Sequence, residues 1–596
     1  MKRFLPISKN DLKQRGWKTL DVILVTGDAY VDHPAYGTAV IGRVLESKGF
    51  RVGIIAQPDW KNTRDFQKLG RPKLFFGITA GNVDSMVANY TANKKPRKTD
   101  DYSPAGGGRG RPDRATIVYA NRVREAFPDV PIVIGGLEAS MRRLAHYDYW
   151  SNKVRRSLLL DARADILVYG MGETPIVEIA GKLKNGEPVS LLDNIRGTAV
   201  IRKEPKSLMK MVPLPGFEQI RDDPELFSAA FNLIHANQNP FNAKTLVQPH
   251  GDRSVVVFPP PLPLAQKQLD SIYALPYTRE THPVYRKQGG VKGLETVKFS
   301  MISHRGCCGE CSFCSLYFHQ GRIVQSRSPA SLINEARQLA GRSDFKGTIT
   351  DIGGPTANMY LATCKHWKEK GGCDNKSCLV PEKCKNFKTG YTESLHLYRR
   401  IRKLPKVKHL FIASGFRHDL ICDTEAETYL EEICRHHISG QMKVAPEYLV
   451  DSVLELMNKP PVSAYDRFLG RLAKVNQKLE RRCYLANYFI SAHPGADLKN
   501  SLAFALSLLN RRMHPEQVQD FIPLPMTASA CMYYTGKNPF TGENVYVPKT
   551  FSERKAQRAL IQYKNPSNHS LIMKTLKRLK AEKQANNFFK HFRKKG

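Results

Sequence analysis

Short apolar runs alternate with longer amphipathic stretches from the start of the chain. Val22–Thr26, Val52–Ala56, Leu74–Ile78, Pro131–Ile134 and Ile166–Tyr169 read as buried strands. Thr38–Ser47, closed by Gly49, and Ala115–Phe127 read as helices between them. Strands separated by helical patterns predict a doubly wound, Rossmann-like parallel sheet, whose ligands meet it at the carboxyl ends of the strands. Those ends carry Gly27-Asp28, Gly135-Gly136 and Gly170-Met171-Gly172-Glu173.

Beyond a short strand at Val255–Phe258 and the proline-rich Phe258–Leu264, the alternation resumes. Strand Val297–Ser303 is followed by helix Ser328–Gly341, strand Gly347–Ile352, helix Thr392–Leu404 and strand Val407–Ser414. Helices Thr424–His437, Ala464–Leu479 and Leu498–Leu509 then precede strands Gln441–Val444, Tyr484–Ile490 and Val518–Ile522. Such a run predicts a partial (β/α) barrel with its reacting groups in the loops after the strands. The expected organisation is a Rossmann-like domain at 1–215, a connector at 216–290, a barrel at 291–530 with a Cys-rich insertion at 360–390, and a C-terminal extension with a basic tail at 531–596.

Charge adds a candidate partner. Lys and Arg number 92 against 55 Asp and Glu in 596 residues, a net +37 that attracts polyanions such as RNA or the ribosome. No uncharged apolar run approaches the ~20 residues of a spanning helix, and the first residues hold no apolar leader, so a cytoplasmic protein without membrane contact is expected. Lys94–Arg114, rich in Gly, Lys, Arg and Pro, reads as a mobile solvated loop, and the basic stretch Leu571–Gly596 as a fraying terminus. Twelve cysteines in a reducing compartment point to metal or catalysis rather than disulfides.

Their spacing is informative. Cys307-x3-Cys311-x2-Cys314 directly follows the strand ending at Ser303, and three thiolates on one tight loop suit three irons of a [4Fe–4S] cube, leaving the fourth iron open. A zinc half-site or buried thiols are the plainer alternatives, and Cys308 reads as a bystander. Cys364-x8-Cys373-x4-Cys378-x5-Cys384 lies in a Lys- and Gly-rich segment with little apolar content, which predicts a metal-stapled insertion holding zinc or an auxiliary iron–sulfur cluster. Cys422, Cys434, Cys483 and Cys531 stand among apolar neighbours and read as core. Gly353-Gly354-Pro355, Ser414-Gly-Phe-Arg417, Lys443-Val-Ala-Pro-Glu447 and His493-Pro-Gly495 all fall at strand exits.

The cysteine triplet, with Phe313 before its third member, resembles the signature of the radical S-adenosylmethionine (SAM) superfamily. Longer phrases, VDHPAYGTAVIGRVLESKGF, SHRGCCGECSFCSLYFHQGRIVQSRS, GTITDIGGPTANMY, KVAPEYLVDSVLELMNKP and QDFIPLPMTASACMYYTG, are similar to the YgiQ-type radical SAM proteins. The resemblance implies a [4Fe–4S] cluster on Cys307, Cys311 and Cys314 that binds SAM at its open iron. A low-potential donor of flavodoxin or ferredoxin type would reduce the cluster, and SAM would break to methionine and a 5′-deoxyadenosyl radical acting on an unidentified substrate. It also implies Phe313 near the adenine, the Gly353-Gly354 backbone near the SAM amino group, and ribose or carboxylate contacts from Ser414 and Arg417, with Lys443 and Glu447 as further cofactor-binding candidates. Pro355 stands where the superfamily commonly has an acid, which puts any acidic contact there in doubt. The first domain resembles the cobalamin-binding-like domain of several radical SAM groups, yet Asp32-His33-Pro-Ala-Tyr-Gly37 departs from their Asp-x-His-x-x-Gly, and a structural role is expected for His33. The competing expectation is a basic nucleic-acid-binding protein with structural zinc at both cysteine sets.

Overall fold

The computed structural model describes residues 3–204, 211–422 and 424–589. Five short apolar strands, β1 (Val22–Thr26), β2 (Val52–Ala56), β3 (Phe75–Thr79), β4 (Ile132–Ile134) and β5 (Ile166–Val168), pair in parallel in the order β2-β1-β3-β4-β5. Covering helices bury both faces, so each strand is a continuous apolar run. The order reverses between β1 and β3, and the two exits run so close that a Cβ on Gly27 would stand 2.2 Å from the Ala80 carbonyl oxygen. That crevice is where such sheets receive ligands.

The same sheet continues past residue 215. Strands β6 (Thr198–Arg202), β7 (Met211–Pro213), β8 (Thr245–His250) and β9 (Arg253–Val257) extend it to nine strands in the order β7-β8-β9-β6-β5 onward. Much of the expected connector therefore belongs to the first sheet. The segment 94–114 is not a free solvated loop, because Arg111 is 2% exposed and pairs with Asp28 at 3.0 Å and Asp100 at 2.7 Å. These ion pairs pin the segment across the strand exits.

The second unit lays its strands side by side in chain order. β10 (Ser300–Ile302) pairs with β12 (Asp351–Gly353), β11 (Thr348–Ile349) with β13 (His409–Leu410), β14 (Gln441–Glu447) with β15 (Tyr484–Ser491), and β15 with β16 (Gln519–Asp520), all in parallel. The parallel bridge Phe416–Val444 joins the two halves into a partial barrel. The strand expected over 407–414 shrinks to two residues, because the Ala413 and Ser414 amides donate to the Asp351 carboxylate at 2.8 and 3.1 Å instead of to a neighbouring strand. Helices α1 (Pro329–Ala340), α2 (Tyr391–Arg402), α3 (Glu427–His436), α4 (Val462–Lys478) and α5 (Leu498–Asn510) cover the outside.

The C-terminal helices Phe551–Ile561 and His569–Arg578 bury Leu560, Ile561, Ile572 and Leu576 in the same barrel core, so the basic segment up to Arg578 is packed rather than frayed. Lys590, Arg593, Lys594 and Lys595 of the tail lie outside the described residues. Among the described residues no helix is long and apolar enough to cross a membrane.

Candidate active site

The cysteine loop leaves β10 through His304–Arg305 and is folded by its glycines and its neighbours. Gly306 has φ +82°, and a Cβ there would lie 2.1 Å from the Ile323 carbonyl oxygen, so only glycine makes this entry. The Cys307 amide donates to the Gly321 carbonyl at 3.1 Å and the Cys314 amide to the Cys311 carbonyl at 3.0 Å. Two distant segments support the middle of the loop: Ser312 N–H donates to the Met457 carbonyl, and Ser529 N–H donates to the Ser312 carbonyl, both at 2.9 Å.

Three thiols of this loop are electrostatic neighbours. Burial pushes the Cys307 thiol up and that of Cys314 to about 12, and the nearby Cys311 adds to both shifts. Buried thiolates need a cation, which iron supplies. The Arg417 guanidinium is already beside them, with Nη1 3.8 Å from Cys311 Sγ and its other nitrogens donating to Asp419 at 3.0 and 2.8 Å. A Cβ on Gly309 would fall 2.3 Å from Arg417 Nη1 and 3.4 Å from Cys307 Sγ, so the space over the thiols is cut to glycine. Neither this trio nor any other His, Cys, Asp or Glu group among the described residues is placed to hold a single metal ion. A cube of irons takes each ligand at a separate corner, and the donor set fits that group.

A cavity of about 570 Å³ opens between the carboxyl ends of the two parallel sheets, lined by His304 and Arg305 just before the loop and Leu316 just after it, but by none of the three cysteines. Gly353, Gly354 and Ser414 line it, as the sequence placed them. Gly354 is required sterically, since a Cβ would meet His304 Cε1 at 2.6 Å, and Ser414 Oγ donates to Asp351 at 2.6 Å. The first sheet contributes Gly81, Gly135, Gly136 and Glu173.

The other candidates stand apart from that lining. Arg417 is engaged with Asp419 and the Cys311 sulfur. Glu447 is buried at φ +70°, and burial pushes its carboxyl up against the opposing pull of Lys459 and Arg417. Phe313 stands edge-on to His493 at 6.1 Å, and Lys443 is half-buried on β14.

Several lining groups escaped the sequence reading. Arg305, just before the cysteine loop, forms a buried ion pair with Glu173 of the first domain, and burial holds the cavity-lining His304 neutral, down at about 4. Tyr102 lines the cavity from the segment expected to be mobile. Only the position of Glu173 at a strand exit was a usable signal. Asp32 accepts from Arg43 Nε at 3.1 Å. His33 uses Nδ1 for the Ala35 amide at 3.0 Å and Nε2 toward Arg279 at 3.1 Å, so both groups are structural.

The second cysteine set also gathers. Thr363–Cys364 pairs with Phe387–Lys388, closing the insertion at its base, and the Cys384 amide donates to the Cys378 carbonyl at 2.9 Å. Cys308 is fully buried and shares a hydrophobic cluster with Cys378 of this set. His366 stays at the surface beside Asn386.

Residues 4–300 match the family model described as radical SAM N-terminal, and residues 516–586 one described as a domain of unknown function, DUF3362. The chain is 50% identical over 573 residues to a UPF0313 protein of Clostridium botulinum (strain ATCC 19397 / Type A), covering 96% of this chain and 89% of that one. It is 50% identical over 570 residues to a UPF0313 protein of Methanocella arvoryzae, with 96% and 94% covered. Among solved structures it is similar in fold to the radical S-adenosylmethionine methyltransferase TsrM of Kitasatospora setae, solved with tryptophan substrate and a SAM analog. The TM-score is 0.50 at 16% identity, over 92% of this chain and 89% of that one.

Proposed function

The chain belongs to the UPF0313 family and is a radical SAM enzyme, and we propose that Cys307, Cys311 and Cys314 hold its [4Fe–4S] cluster while SAM and substrate share the adjoining cavity. The observation that carries this reading is one loop holding three thiols, two of them around Arg417, whose flanking residues Arg305 and Leu316 line a cavity of about 570 Å³ at the strand ends of both sheets. When bound and reduced, the cluster supplies the electron that cleaves SAM to methionine and a 5′-deoxyadenosyl radical.

The chain's own residues position and shield. Arg417, held by Asp419, places positive charge against the Cys311 sulfur. Gly353 and Gly354, packed against Ser414 and His304, give the cavity a stretch of backbone wall. The Glu173–Arg305 pair closes the seam between the domains and keeps water from the reacting space. Both nitrogens of His33 are engaged, which argues against cobalamin ligated through it.

For the substrate we propose a polyanion, RNA or ribosome-linked. The support is the net +37 and an open face of β15 on which Tyr484 and Tyr488 are 53% and 48% exposed, with Arg482 5.2 Å over the Tyr484 ring. A flavodoxin- or ferredoxin-type protein is the proposed electron donor, and the second cysteine set is proposed to hold zinc or an auxiliary cluster.

Anaerobic purification and reconstitution test the reading. Wild type is expected to carry at least about four irons and four sulfides per chain and to release 5′-deoxyadenosine from SAM, and Cys311→Ala to lose that release. Equal release by both proteins would refute the assignment, and zinc without sulfide in wild type would favour the nucleic-acid-binding alternative. Absence of salt-dependent RNA binding, or binding unchanged by Tyr488→Ala, would refute the substrate class.

A further inference from the structure

The radical-cluster loop carries a fourth cysteine that the reaction does not use. Cys308 is 0% exposed and sits in a small apolar nest of Met359, Trp367, Leu379 and Leu420. Its sulfur lies 4.0 Å from Met359 Sδ, and Cys378 belongs to the same buried cluster. Cys364 and Cys384 pack against the same nest, and Cys373 stands within electrostatic reach of Cys378, Cys364 and Cys384.

We propose that this nest holds a second iron–sulfur cluster, with Cys308 as the ligand given by the radical loop and the others drawn from Cys364, Cys373, Cys378 and Cys384. The proposal rests on Cys307 being a ligand of the first cluster only in making the two centres neighbours. A single peptide run that ligates two clusters has a precedent in two-cluster ferredoxins.

Two observations support a cluster over idle thiols. The insertion packs Cys364, Cys378 and Cys384 together with Cys308, Trp367, Leu379 and Phe387. It is docked by defined bonds: Asn239 Nδ2 donates to the Lys370 and Gly372 carbonyls at 2.8 and 3.2 Å. A largely buried cation also stands beside the insertion, where Arg322 donates to the Cys373 carbonyl at 2.9 Å and pairs with Glu310 at 2.7 Å. A cluster with thiolate ligands is anionic overall, and a guanidinium there compensates its charge.

Consecutive Cα atoms are about 3.8 Å apart, so ligation by Cys307 and Cys308 sets the two centres close enough for their electron spins to interact when both are reduced. That gives a signature independent of turnover. The experiment uses the full chain, reconstituted anaerobically, as wild type, as a Cys307→Ala/Cys311→Ala/Cys314→Ala variant, and as that variant with Cys308→Ser and Cys378→Ser added.

Iron, sulfide and zinc are counted, and electron paramagnetic resonance spectra are recorded after dithionite reduction. The triple variant is expected to keep about four irons and four sulfides with a narrow signal, against about twice that and a broadened signal in wild type. The two serine changes are expected to remove the remainder. Cys434→Ser, in a thiol pair of the barrel core, checks that a serine does not by itself unload the protein.

A triple variant devoid of iron, or loaded with zinc and no sulfide, would overturn the proposal. So would iron retained in full after Cys308 and Cys378 are changed. Release of 5′-deoxyadenosine by the triple variant would instead overturn the assignment of the first cluster and leave the second standing.

Discussion

Replacing Glu173 by alanine perturbs the one buried ion pair that ties the first sheet to the entrance of the cysteine loop. Glu173 and Arg305 are each 5% exposed. Without the carboxylate, Arg305 keeps the Tyr273 hydroxyl, at 2.9 Å from its Nε, as a side-chain partner. Removing one member of a buried pair costs about 3–5 kcal/mol, because the other charge stays desolvated and uncompensated. At about 1.4 kcal/mol per tenfold, the open or unfolded population rises by roughly two to three and a half orders of magnitude.

Two assays read this: urea unfolding followed by tryptophan fluorescence, and hydrogen exchange at the Arg305 and Glu173 amides, which detects separation of the domains short of global unfolding. The double variant Glu173→Met/Arg305→Met removes both charges and is expected to recover most of the loss, since an apolar replacement of a buried pair is often neutral. A shift below about 1 kcal/mol for Glu173→Ala, or a double variant worse than the single one, would refute the reasoning.

Gly306→Ala touches no ligand, yet its Cβ would press on the Ile323 carbonyl; the expected result is loss of most of the first cluster's iron and its visible absorption, and full iron content would contradict it. Arg111→Met leaves Asp28 and Asp100 facing each other unpaired, so segment 94–114 should become at least tenfold more sensitive to trypsin in limited proteolysis. Burial opposes ionisation of Asp148, but the Ser151 hydroxyl and the Arg114 and Arg142 guanidiniums prevail and hold its carboxyl down at about 2, from 3.8. Its contribution, roughly 2 kcal/mol, is present above pH 4 and is lost as pH falls toward 2. Asp148→Asn should therefore be less stable than wild type at pH 7, with the gap closing in acid-unfolding curves below pH 4.

What was legible in the chain followed local physics. The apolar runs from Val22 to Val168 place strands to within a residue or two, because burial on both faces leaves no polar position to confuse the pattern. Gly353, Gly354 and Ser414 are found beside the cavity because strand exits follow from strand positions. Residues whose roles depend on distant partners escaped. The short strand at His409 is cut by Asp351, 58 residues away by number, and Tyr102 reaches the cavity only because Arg111 finds Asp28. That Cys308 and Cys378, 70 residues apart, share one buried cluster is likewise something no spacing rule encodes.

The backbone shelf under the cysteine loop has a consequence for how the protein is made. Met457 and Ser529, which brace Ser312 from two sides, are translated long after the thiols themselves. A nascent chain that has not yet reached Ser529 presents the cysteines without both braces, so the seat of this loop is complete only once the barrel's far end has been made.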